Sequence, residues 1–89
     1  MPIKPTVYTS SGAVSAGGIT IDKLEVCPDG GSVDVRFIQG TDSSGTKKYR
    51  IKAQEKSEFR DFDEGLQIDG PVYLDFYQGA GAVTIMEKS

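Results

Sequence analysis

The stretch that decides the fold is "DGPVYLDFYQGAGAVTIM", residues 69–86. A turn signal, Asp69-Gly70-Pro71, leads into a run in which Val72, Leu74 and Phe76 alternate with Tyr73, Asp75 and Tyr77. After Gly79-Ala80-Gly81 a second run begins, with Val83 and Ile85 alternating with Thr84 and Met86. A period of two places every second side chain on one face, the signature of a half-buried strand. The glycine link between the runs raises a choice between a phosphate-gripping loop and a bend. A phosphate loop needs a following helix and, in one common form, a Lys-Ser/Thr pair. Here the link feeds "VTIMEK", a second strand pattern, so we read it as a hairpin turn whose glycines supply positive φ.

Working outward, the same period recurs upstream. Val33, Val35 and Phe37 share a face, with Asp34 and Arg36 on the other. Tyr49, Ile51 and Ala53 alternate with Lys48, Arg50 and Lys52. Ile19 and Ile21 start in one phase, while Leu24 and Val26 finish in the opposite one. A β-bulge near Asp22 and Lys23 accounts for the slip. Turn residues cluster at Pro28–Gly31, Gly40–Gly45 and Asp69–Pro71. Helix-period signals are nearly missing. The expected fold is all-β, a small antiparallel β-sandwich or jelly-roll-like domain over residues 18–89. Residues 1–17, with Pro2, Pro5 and "SSGAVSAGG", read as an extended N-terminal arm and linker, an edge strand or a free tail. The segment "AQEKSEFRDFDEG", residues 53–65, reads as a crossover that tucks Phe59, Phe62 or both under the sandwich edge.

Composition restricts the chemistry. The 89 residues make one small domain with a formal charge of −3. The chain has no His, Trp or Asn and a single Cys. Without His there is no imidazole base, no Ser-His or Cys-His pair and no histidine metal ligand. The lone Cys27 forms no internal disulfide and is expected as a small buried side chain. The expectation is therefore no enzyme, no cofactor and no metal site. Glu58, Asp61, Asp63 and Glu64 are read as a solvated acidic loop, with a structural calcium as the rival reading. The acidic balance argues against a nucleic-acid partner. No 18-residue apolar run or signal-peptide h-region is present, so synthesis in the cytoplasm, with neither a signal peptide nor a membrane partner, is expected.

Candidate contact residues fall in three groups. The arm supplies Pro2, Ile3, Lys4, Pro5, Val7 and Tyr8. Six of the ten basic residues lie between Lys47 and Arg60, and Lys48, Arg50 and Lys52 line the outward face of one strand. That stripe is either edge protection or a dock for an acidic patch of a partner protein. Tyr73 and Tyr77 flank Asp75 on an outward face, as a contact patch or as packing under the arm.

Residues 65–88, "GLQIDGPVYLDFYQGAGAVTIMEK", resemble the closing strands of small β-sandwich virion structural proteins of tailed bacteriophages. There a Gly-Leu-x-Val/Ile step leads to a Gly-Pro or Gly-Ile turn, a Tyr-bearing strand and a final G-x-G-A-V-T-V strand. The match covers about a quarter of the chain; its last strand ends "TIMEK" where an aromatic often sits. The resemblance implies a capsid decoration, or cement, protein on the outer surface of the major capsid lattice. It binds there as a monomer or as a homo-oligomer such as a trimer, with the arm reaching a neighbouring subunit. The competing readings are a tail, fibre or head-knob component and a carbohydrate- or surface-binding module.

Overall fold

The computed structural model describes residues 5–87. Six strands follow one another: β1 (Pro5–Tyr8), β2 (Gly12–Ser15), β3 (Gly18–Gln39), β4 (Thr46–Gln54), β5 (Glu58–Asp69) and β6 (Val72–Glu87). Every pairing is antiparallel. β3 is the axis. Along one edge it pairs with β6, from Ile21 opposite Glu87 to Gln39 opposite Val72. Along the other edge its first half takes β5 and its second half β4. The far edge of β6 carries β1 and then β2.

β3 cannot be straight. Its 22 residues would extend about 70 Å at about 3.3 Å each, yet the longest dimension of the molecule is 32 Å. Both of its ends also lie beside Asp69. Gly18 is its ladder partner, and Gln39 donates from Nε2 to the Asp69 carbonyl at 2.6 Å. The strand is folded in half near Pro28–Ser32, and β6 bends with it at Gly79–Gly81. Two layers result: β1, the second half of β6, the first half of β3, and β5; then β2, the first half of β6, the second half of β3, and β4. That order and connectivity are those of a jelly roll. The all-β expectation is met.

The layers face each other across one core. Ile19, Ile21, Leu24 and Val26 come from one half of β3; Val33, Val35 and Phe37 come from the other. Ile51, Leu74, Val83 and Ile85 complete the contact between the two inner faces. The phase slip predicted near Asp22 is present as a register shift between Ile21 and Lys23.

Several local readings are corrected. Gly79–Gly81 is no hairpin turn: residues 72–78 and 82–87 are parts of one strand, and both pair with β3. Pro28–Gly31 is likewise a bend inside β3. The acidic segment is not a loop, because residues 58–69 form β5, an edge strand with a register break after Asp61. Edge strands tolerate Asp and Glu that a central strand would not. Of its two phenylalanines, Phe62 packs on the core and meets Tyr49 edge-on at 5.3 Å, while Phe59 stays 49 % exposed. Cys27 is half-buried beside the bend and accepts a hydrogen bond from the Ser57 hydroxyl at 3.1 Å.

Candidate functional site

The outer face of the β2–β6–β3–β4 layer gathers charged and aromatic side chains. In β4 the alternation is as expected: Lys48, Arg50 and Lys52 are exposed, and Ile51 and Ala53 are buried. The three cations are not equivalent, however. Arg50 reaches across to Asp34 on β3, with Nε 3.0 Å from Oδ1 and Nη2 on Oδ2. Asp34 alternates with the core residues Val33 and Val35, yet it is only 2 % exposed. A buried carboxylate needs this charged partner, and the contact raises the Arg50 pKa, first through the hydrogen bond and then through Coulombic attraction. Arg50 is thus tied down, while Lys48 and Lys52 make no ion pair among the described residues.

One step across the layer, Arg36 on β3 pairs with Asp75 on β6 at 3.2 Å. Its guanidinium carbon lies 3.7 Å from the centroid of the Tyr77 ring. Among the described residues the buried Arg36 Nε has no hydrogen-bond partner, and the π-face over the guanidinium partly offsets that cost. Tyr77 itself is 53 % exposed. Tyr73 differs. It is half-buried, opposite Ala13 of β2 and Ile38 of β3, so it packs beside the arm and forms no joint platform with Tyr77. The sequence placed Tyr77 outward but held no signal that Arg36 would support it, because that contact depends on the register of β3 against β6.

The arm lies along the chain's own sheet. Pro5–Tyr8 pairs with Val83–Met86, and the Ser11 hydroxyl accepts a hydrogen bond from the Phe76 amide at 2.9 Å, tying the link between β1 and β2 to β6. Tyr8 packs on the core; burial, and next the Glu87 charge, raise its phenol pKa. Val7 is 59 % exposed. The outer edge of β1 has no strand partner among the described residues. Pro2, Ile3 and Lys4 lie outside the described residues. The arm and the β4 stripe are therefore not brought together: β6 and β3 stand between them. Among the described residues, Glu58, Asp61, Asp63 and Glu64 form no group of three or more metal-ligating side chains.

Comparison with models of protein families, with curated proteins and with solved structures returned no match.

Proposed function

We propose that the protein is a non-enzymatic structural protein of a tailed-phage particle, a capsid decoration protein on the outer surface of the major capsid lattice. The observation that carries the reading is the edge strand β1, which has no strand partner on its outer side among the described residues and presents the exposed Val7. A free edge offers backbone donors and acceptors to a strand of another protein, and an outward apolar side chain adds contact area. The likeness of residues 65–88 to phage virion proteins supplies the kind of partner. On a repeated lattice, weak contacts of this sort add through multivalency.

The test is co-sedimentation with empty capsid shells. Wild-type protein pellets with shells, and Val7→Asp, which places a charge in the contact while leaving the core untouched, does not. A variant that pellets like wild type, or wild type that stays in the supernatant, overturns the proposal. The exposed Tyr77 favours a second reading, a carbohydrate-binding module. Glycan binding lost on Tyr77→Ala, with no shell binding, would select it.

A further inference from the structure

The two strands flanking β3 have opposite charge. β4 carries Lys47, Lys48, Arg50 and Lys52 and no acid, a formal +4. β5 carries Glu58, Asp61, Asp63, Glu64 and Asp69 against Arg60, a formal −4. Each is an edge strand, one in each layer, on the same side of the sandwich, and neither has an outer partner among the described residues. Like-charged edges would repel in every pairing, which is the usual protection against stray sheet extension. Edges of opposite sign repel their own kind and attract each other.

The topology allows both attractions at once. β4 runs toward the bend at residues 55–57 and β5 runs away from it, so the two strands point in opposite directions. A two-fold axis parallel to the strands, placed beside this edge, exchanges the two layers of the second copy. It brings β4 of one copy against β5 of the other, antiparallel, and the reverse contact forms by symmetry. Residues equally far from the bend, to within one position, then stand level. Face alternation sets Lys48 opposite Asp63, Arg50 opposite Asp61, and Lys52 opposite Phe59, all on the outer face. Phe59 is the large exposed apolar side chain on this edge, and the aliphatic stem of Lys52 would cover it.

We infer that the β4–β5 edge is a self-complementary dimer interface whose occupant is a second copy of this chain. The inference does not depend on the capsid reading, and it gives the basic stripe a different partner from an acidic patch on a shell. The arm, on the opposite edge, is unaffected.

Sedimentation equilibrium of the purified protein, without shells, tests it. At about 0.01 M salt the mass doubles from 9.6 kDa as concentration rises toward millimolar, and association weakens at least about tenfold at 1 M, where the screening length falls from roughly 30 Å to 3 Å. Lys48→Glu alone is monomeric, as is Asp63→Lys alone, because each sets like charges opposite one another in both contacts. An equimolar mixture of the two recovers the dimer, since both contacts are then complementary. Circular dichroism confirms that each variant is folded. Wild type that stays monomeric at low salt, a dimer indifferent to the reversals, or a mixture that stays monomeric each overturns the inference.

Discussion

Replacing Gly79 by alanine tests the crossing of β6 over β3 at the fold of the sandwich. Gly79 has φ +78°, and a Cβ built there overlaps the Ser32 carbonyl oxygen and lies 3.1 Å from Val33 Cα. Two costs follow: a left-handed conformation for a residue with a side chain, about 1–2 kcal/mol, and displacement of packed backbone, about 1–3 kcal/mol. Gly30 isolates the first cost, since its φ is +77° and nothing lies within 4 Å of its Cβ. Gly31 has neither problem, and alanine there is neutral or stabilises by about 0.4–1 kcal/mol through the unfolded chain. The expected losses are thus about 2–5 kcal/mol for Gly79→Ala, about 1–2 for Gly30→Ala, and none for Gly31→Ala. A chain of this length is worth about 4–13 kcal/mol in total, so Gly79→Ala is close to the limit of what the fold tolerates. At roughly 5 °C per kcal/mol for a domain of this size, the three melting temperatures separate clearly. Thermal and urea unfolding followed by circular dichroism measure the order. A hairpin tip at residues 79–81 would have no backbone across from it, so equal losses for Gly79→Ala and Gly30→Ala would refute the crossing.

Two further outcomes follow from the polar contacts. Arg50→Ala lowers the urea midpoint more than Lys52→Ala, because it strands the buried Asp34 carboxylate without a countercharge. Adding Asp34→Ala to it recovers part of the loss, and equal midpoints for Arg50→Ala and Lys52→Ala would remove the argument. Tyr8 gives a pH dependence. Its folded pKa lies above the ordinary phenol value of about 10, so its contribution is complete below that value and is lost as pH rises through the folded pKa. Wild type therefore loses stability relative to Tyr8→Phe in the alkaline range, and parallel pH profiles would show that β1 does not hold Tyr8 against the core.

Alternation was sufficient to find the strands, because a half-buried strand has few other ways to satisfy a two-residue period. It also located the bulge, since an extra residue necessarily reverses the phase between Ile21 and Leu24. The Gly79–Gly81 link was misread because a hairpin and a bend look alike along one segment: alternating run, glycines, alternating run. They differ only in what each half pairs with, and the partner, β3, lies far off in the chain, Val33 being the ladder partner of Gly79 and Pro28 that of Gly81. A usable signal was present in the second Gly/Pro break at Pro28–Gly31, which lies level with the first once β3 and β6 pair. The acidic stretch became β5 against its composition because an edge strand needs only one good face, and Leu66 and Ile68 provide it. Asp34 shows the opposite limit. Alternation gives its direction, while its countercharge, Arg50, comes from another strand.

The order of the long runs, arm then β6 then β3 then β4 and β5, places the two proposed contacts on opposite edges of the sandwich. They can therefore act together: a dimer joined through β4 and β5 carries two outward arms, and two arms bound to neighbouring lattice sites raise the effective concentration of each. They can also fail apart. Val7→Asp alters only the arm edge and leaves the sedimentation mass unchanged, whereas Lys48→Glu alters the mass and leaves the arm intact. Loss of shell binding in the second variant without loss in isolated arm contact would be an avidity effect, visible as weaker binding that recovers when the complementary variant is added. A jelly roll of this size has few places to put function other than its edges, because its interior is filled by the Ile21, Leu24, Phe37 and Leu74 core. That is the physical reason to look for partners along β1 and along β4–β5 before looking for a cleft.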